Sequence, residues 1–271
     1  MTLKTIRDID FAALYRTHAK LSIRQPKTAD DWDTRADRMR SGQSCTGESY
    51  IKQFLSKMDF EGCASLLDVG CGGGTIGLAA ASKLEKVYEL DYSPKMLKVV
   101  QERALELGVT NYETILKSWS DDWDNVPQCD ICVSSRSSMV EDLEDALAKL
   151  NQKAKKAVYM TMTVEKDFIQ QSILKALGRA DLGFPTYIYA VNMLYQQGYE
   201  VTVDFIRADH TASKQVITDI GGFIQAVKWS IGELTATEIE RLTDYYQRHQ
   251  STIKAVYQGI RPWAFLSWKT N

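Results

Sequence analysis

The feature that most constrains this chain is the stretch Ser65-Leu-Leu-Asp-Val-Gly-Cys-Gly-Gly-Gly-Thr-Ile-Gly77, an apolar run that breaks into glycines and resumes as Leu78-Ala-Ala-Ala-Ser82. Leu66, Leu67 and Val69 read as a buried strand, and Thr75, Leu78 and Ala79 open a helix. Between them, Gly70, Gly72, Gly73 and Gly74 let the backbone bend sharply and approach a ligand that a Cβ would hold away. The helix that follows presents unpaired N–H groups at its start, which suit an anionic or carboxylate-bearing ligand. Strand, glycine turn and helix in this order predict a nucleotide-type cofactor turn.

Gly72-x-Gly74-x-x-Gly77 satisfies the dinucleotide fingerprint, which read alone means NAD or FAD. Asp68 argues against that reading. An acid in the strand just before the first glycine repels a pyrophosphate and favours a positively charged cofactor. A second acid, Asp91, ends the β-rich run Val87-Tyr-Glu-Leu-Asp91 about 20 residues on, where a ribose-reading carboxylate is expected.

The string Leu67-Asp-Val-Gly-Cys-Gly-Gly-Gly74 closely resembles the first motif of class I S-adenosylmethionine-dependent methyltransferases. The resemblance covers residues 63–165 well and the rest in outline. It implies S-adenosylmethionine as cofactor, S-adenosylhomocysteine as product, and a Rossmann-like, mostly parallel seven-stranded sheet with helices on both faces. It also implies that Asp68, Gly70, Gly72 and Gly74 contact the methionine side, that Asp91 takes the ribose hydroxyls, and that Tyr92 and Met96 flank the adenine. In the family an acid after the third strand reads the adenine amine; here Ser118 and Trp119 hold that register, with Asp121 and Asp122 slightly later. Ser134 belongs to the same expected cofactor surface. The loop after the fourth strand faces the transferred methyl group in this family. Its Asn/Asp-Pro-Pro-Tyr run, which grips a planar amine, is replaced here by Ser134-Ser135-Arg136-Ser137, against a DNA-amine or glutamine methyltransferase. Ser135 and Arg136 are therefore candidate acceptor contacts, Arg136 through a bidentate hold on a carboxylate or phosphate, with pairing to Glu141 or Asp142 as its structural alternative.

Periodicity organises the remainder. Helices are expected over Ile6–Leu21, after the Thr28-Ala-Asp-Asp31 start, and over Glu48–Met58, with Pro26 and the Gly42–Gly47 stretch as breaks. Residues 1–62 form a helical cap in this reading, and Tyr15 and Trp32 are its candidate aromatic contacts to substrate, or its packing onto the core. Strand and helix then alternate from Ser65–Val69 through Thr75–Leu84, Lys86–Leu90, Pro94–Leu107, Tyr112–Leu116, Asp130–Val133, Glu141–Gln152 and Lys156–Met162. Ligands in such sheets sit at the carboxyl ends of the strands, so the loops holding Gly70–Gly74, Asp91, Ser118 and Ser134 should converge. In the C-terminal half, residues 166–271, helices are expected over Phe168–Leu177 and Tyr187–Gln197 and a strand over Glu200–Arg207. The last strand, Arg261–Trp268, is delayed by a helical insertion over about 213–249, with Phe223–Ile231 and Thr237–Arg248 as its helices. A connection of that length carries function more often than not, and a substrate lid is the reading adopted, with a packing or dimer surface bearing an exposed Trp229 or Tyr245 as the alternative.

Composition excludes more than it assigns. With 271 residues, 44% hydrophobic, 25% charged and a net charge of −2, the chain suits a single soluble domain and carries no global footprint for nucleic acid. A small-molecule acceptor is expected, with an RNA or protein methyltransferase, a non-catalytic binder of S-adenosylmethionine or S-adenosylhomocysteine, and a nicotinamide oxidoreductase as the alternatives. No apolar run approaches a membrane span and the start is not a signal peptide, so a cytoplasmic location is expected. Cys45, Cys63, Cys71, Cys129 and Cys132 suggest neither a disulfide framework nor a metal site, with Cys129 and Cys132 read as buried strand residues. His18, His210 and His249 are scattered, and no catalytic base is assigned among them.

Overall fold

The computed structural model describes residues 5–22, 27–40, 47–179, 182–208, 217–249, 253, 256 and 260–270. Among these, strands β1 (Ser65–Val69), β2 (Lys86–Asp91), β3 (Tyr112–Leu116), β4 (Cys129–Ser135), β5 (Ala154–Thr163), β6 (Thr202–Ile206) and β7 (Trp263–Lys269) form one seven-stranded sheet. Its order is β3-β2-β1-β4-β5-β7-β6. The first five strands run parallel, and β7 lies antiparallel between β5 and β6. The chain leaves β1 in one direction toward β2 and β3 and returns on its other side as β4. That reversal opens a crevice at the carboxyl ends of β1 and β4.

Helices cover both faces, as a parallel sheet requires. Leu66 and Leu67 are both fully buried but serve opposite layers. On the Leu67 side pack α1 (Phe11–Leu21), α6 (Leu143–Lys153) and α8 (Ile188–Gln196), through Tyr15, Leu147 and Leu194. On the Leu66 side pack α3 (Glu48–Ser56) and α4 (Gly77–Ala80), through Tyr50, Phe54 and Ala80. Helix α5 (Pro94–Leu107) begins with a Ser93 cap, whose Oγ accepts the Met96 N–H at 3.1 Å, and stops at the left-handed Gly108. Helix α2 (Ala29–Arg40) rests Ala36 and Trp32 on Met96 and Val99 of α5.

Helices α7 (Gln171–Leu177), α9 (Ile220–Ile231) and α10 (Ala236–His249) share a separate cluster built on Leu174, Phe223, Val227 and Leu242, with no strand residue in it. The insertion is thus fastened to α7 by a helical core of its own. Arg179, just past α7, grips Glu238 through both Nε and Nη2, and Glu238 also accepts the Thr235 N–H at 2.8 Å to cap α10. Trp229 and Tyr245, exposed in the alternative reading of the insertion, are partly covered: Trp229 meets Trp32, while Tyr245 stacks on Phe223 and His249. Among the described residues no helix is long and apolar enough to cross a membrane.

Several expected helices are shorter than their patterns: α3 stops at Ser56 and α7 starts at Gln171, and the larger differences are at α1 and α4. Asp10 accepts the Ala13 N–H at 2.8 Å and starts α1 at Phe11, leaving Ile6–Asp8 as a separate 3-10 turn closed by Thr5 and Asp8. The helix expected from Thr75 begins at Gly77 and gives way to a 3-10 turn at Ala81–Lys83, because Asp68 Oδ2 accepts the Gly77 N–H at 2.9 Å and extends the glycine turn.

Candidate functional site

The loops after β1, β2, β3 and β4 meet at the crevice. Gly70, Gly72 and Gly74 have φ of 66°, 55° and 69°, the left-handed region that L side chains avoid. Gly73 does not share it. A Cβ on Gly70 would lie 2.4 Å from Ser137 Cβ, so the turn presses directly on the loop after β4. Ser137 Oγ donates to Val69 O at 2.7 Å and lies 2.9 Å from Ser134 Oγ, which is fully buried. The Trp119 indole donates to Ser137 O at 3.1 Å, bringing in the loop after β3, and its ring stacks on Trp123. Ser118 serves its own loop, its N–H reaching Asp121 Oδ2 at 2.7 Å.

Asp91 closes the other side. Its Oδ2 accepts the Gly72 N–H at 2.8 Å and its Oδ1 the Ser93 N–H at 2.9 Å. Burial pushes the Asp91 carboxyl above the ordinary range, against these N–H groups that pull it down. Above Gly72 the space is open: a Cβ there would meet nothing within 4 Å.

Asp68 sits beneath the turn rather than in its mouth. It is buried on Gly77, with Oδ1 lacking a hydrogen-bond partner. Opposite it in the parallel register stands Glu89, fully buried, with neither carboxyl oxygen hydrogen-bonded. Sequence reasoning passed over Glu89. The signal was present: an acid inside a strand that otherwise reads as buried, two positions before Asp91 and so on the same face. Burial pushes both carboxyls up: Asp68 to about 7, with the Gly77 N–H opposing the rise and the Asp91 charge adding to it, and Glu89 well above its ordinary value, with the Asp68 charge adding to the effect.

The cap reaches this crevice through α2. Ser93 Oγ donates to Asp33 Oδ1 at 2.6 Å, and the Tyr92 hydroxyl donates to Lys27 O at 2.9 Å. Met96 is covered by Ala36 and Trp32. Trp32 in turn meets Trp229 of α9 edge to face, centroids 5.8 Å apart, with Lys27 Nζ 4.5 Å from the Trp229 ring. Cap and insertion therefore touch over the start of α5. Tyr15 lies apart from this contact: it is buried in the main core, and its hydroxyl donates to Val140 O at 2.6 Å.

Beyond Ser134 the geometry changes. Arg136 has φ 59°, the one positive-φ residue other than glycine among the described residues. Its N–H donates to Thr161 Oγ1 at 3.0 Å, and its guanidinium lies 4.5 Å over the Tyr50 ring and 5.9 Å from Trp263. The Tyr50 hydroxyl, fully buried, lies 2.9 Å from Ser135 Oγ and 2.8 Å from Thr161 Oγ1. Asp142 is engaged elsewhere, by Arg16 at 3.2 Å and as the cap of α6.

The other candidates have structural surroundings. His18 bridges Tyr189 Oη at 2.9 Å and Gly183 O at 3.2 Å, while His249 Nδ1 lies 2.8 Å from Tyr245 O. Cys129 and Cys132 are buried in β4, and no group of three His, Cys, Asp or Glu among the described residues could hold a metal. His210, Cys45, Pro26 and Gly42 lie outside the described residues.

A family profile described as a methyltransferase domain matches residues 66–157. An uncharacterized protein of Haemophilus influenzae is 35% identical over 268 residues, covering 98% of this chain and 99% of that one. Among solved structures, the [4+2]-cyclase SpnF superposes with a TM-score of 0.55 at 14% identity, covering 92% of this chain and 98% of that chain. Phosphoethanolamine N-methyltransferase 2 of Haemonchus contortus, in complex with phosphomonomethylethanolamine and S-adenosylhomocysteine, gives 0.53 at 15% identity, covering 98% of this chain and 60% of that chain. At such identities the likeness carries the fold alone. A methyltransferase and a cyclase share it, so the chemistry has to be argued from residues.

Proposed function

The chain belongs to the class I S-adenosylmethionine-dependent methyltransferases, and from that premise we propose that it methylates a small molecule whose carboxylate or phosphate is held by Arg136. The residues at the crevice fit S-adenosylmethionine: open space over Gly72, a turn whose positive φ values favour glycine, and a carboxylate at the end of β2. Asp91 accepts the Gly72 N–H on Oδ2 and the Ser93 N–H on Oδ1, with the Tyr92 N–H also acting on it, and its two oxygens have the lone-pair capacity to take a ribose hydroxyl as well. When bound, the cofactor supplies a methyl group already activated on a sulfonium. What is left to the protein is alignment of the acceptor and exclusion of water.

Arg136 is the observation that carries the acceptor assignment. A non-glycine residue in the left-handed region costs about 1–2 kcal/mol, a strain that favours a functional over an incidental reading at the methyl-facing loop. The Tyr50 ring under the guanidinium holds its plane, and a fixed plane is what a bidentate grip on two acceptor oxygens requires. Ser135, tied to Tyr50, and Trp263 would border the same acceptor. Residues 1–62 act as a cap and the insertion as a lid in this reading, supported by the Trp32–Trp229 contact; Tyr15 anchors the cap rather than touching substrate. No histidine is assigned as a base, since His18 and His249 are engaged in packing contacts.

The test is transfer of labelled methyl from S-adenosylmethionine to a panel of small molecules paired as acid and amide. Acceptors are expected among the acids, and Arg136→Gln should lower kcat/KM for them by at least about tenfold, the ~1.4 kcal/mol of a weakened charge-assisted contact. Equal turnover of the amides, or an unchanged Arg136→Gln enzyme, would refute the assignment.

A further inference from the structure

Two carboxyls converge on Gly77 from adjacent strands. Asp68 accepts its N–H at 2.9 Å, and Glu89 fills the place of its missing side chain: a Cβ on Gly77 would lie 2.2 Å from Glu89 Oε1. Gly77 closes the glycine fingerprint, and this contact gives a reason for it that has nothing to do with helix packing. Both acids are buried, and three of their four carboxyl oxygens have no hydrogen-bond partner. Two bare carboxylates in that position would repel each other with no water to screen them, whereas one proton between them relieves the charge and supplies a donor.

The charged and titratable groups facing the pair do not replace that proton. Cys71 lies close enough to Glu89 to lower its carboxyl somewhat, but a thiol is a weak donor, and this one also reaches Gly72 O at 3.5 Å. Arg103 of α5 donates to Gly73 O at 2.6 Å, and its charge favours the Glu89 carboxylate without offsetting the effect of burial. Asp91, the third acid, adds negative charge.

We propose that Glu89 is a positioning residue of the cofactor turn, sharing one proton with Asp68 beneath Gly77, and that the pair releases this proton to solvent when S-adenosylmethionine binds at the turn. The inference rests on the turn being the cofactor site. The driving force is the sulfonium: S-adenosylmethionine carries one positive charge more than S-adenosylhomocysteine, and a low-dielectric site couples that charge to the acids under it. Deprotonation of the pair therefore favours the reactive cofactor over its spent product. The two ligands share the same amino group, so its own titration cancels in their ratio.

The experiment is calorimetric titration of the full chain with each ligand between about pH 6 and 8.5, for the native protein and Glu89→Gln. In the native protein the affinity ratio of S-adenosylmethionine to S-adenosylhomocysteine should rise with pH, by at most about tenfold per pH unit for one linked proton. In Glu89→Gln the amide keeps the shape and removes the neighbouring acid, and by donating to Asp68 it favours the Asp68 carboxylate across this pH range, so no proton is left to release and the ratio should be flat. A pH-independent ratio in the native protein, or the same slope in the variant, overturns the proposal; a merely structural Glu89 gives the second of these. If Glu89→Gln does not fold, native titrations in buffers of different ionisation heat count the protons directly, and equal release with both ligands overturns it. Absence of any binding by the native protein would remove the cofactor site and the proposal together.

Discussion

Gly70 and Gly72 make opposite predictions from one turn. Both have positive φ, so replacing either by alanine costs about 1–2 kcal/mol in backbone strain. At Gly70 the new Cβ would also stand 2.4 Å from Ser137 Cβ and 2.7 Å from Ser137 Oγ. Ser137 holds the β4 loop to Val69 O, and displacing it adds about 1–3 kcal/mol of overpacking and about 1 kcal/mol for the bond. Gly70→Ala should therefore lose roughly 3–6 kcal/mol, a large part of the stability of an ordinary domain. At Gly72 the Cβ meets no protein atom within 4 Å, and the loss should stay at the strain alone. That open space is where the cofactor is expected, so Gly72→Ala should weaken S-adenosylmethionine by at least about tenfold, ~1.4 kcal/mol, in a folded protein. Urea unfolding and calorimetry on the two variants separate the effects. Equal destabilisation by both, or native affinity in Gly72→Ala, would refute this account of the turn.

Two more predictions concern the insertion. The Glu238 carboxyl is held down to about 2 by Arg179 and the Thr235 cap, below an unfolded value of about 4.5. A depressed acid stabilises fully above its unfolded value and loses that contribution as pH falls, here from about pH 4.5 toward 2; Glu238→Gln should cost about 1–2 kcal/mol at pH 7 and nothing near pH 2, read by thermal unfolding across pH. Trp229→Ala removes the edge-to-face contact with Trp32, worth about 0.5–1.5 kcal/mol; methyl transfer should fall while cofactor affinity holds, and full activity would reject the lid.

Much of the fold was legible because its signals are local. The β1 run, the glycine turn, the Ser93-Pro94 start of α5 and the alternating strands each declare themselves within a few residues, and their order fixes a parallel sheet. Element ends moved where a side chain from afar intervened: Asp68 shortened α4, which no propensity in residues 75–84 foretells. The same holds for the site. Asp91 and the glycines follow from spacing, while Glu89 acquires meaning only when β2 lies beside β1 and brings it onto Gly77. Arg136 was legible as a cation in the right loop, but its left-handed backbone and its seat on Tyr50 depend on α3, some 85 residues earlier in the pairing of Tyr50 with Ser135. Trp229 read as exposed because the helix opposite it, α2, is distant in sequence.

The most direct test is isothermal titration of the purified protein, freed of co-purified ligand, with S-adenosylmethionine, S-adenosylhomocysteine and NADH. The account predicts binding of the first two at a single site and no heat with NADH. Binding of NADH alone would contradict it at the glycine turn, where every later assignment begins.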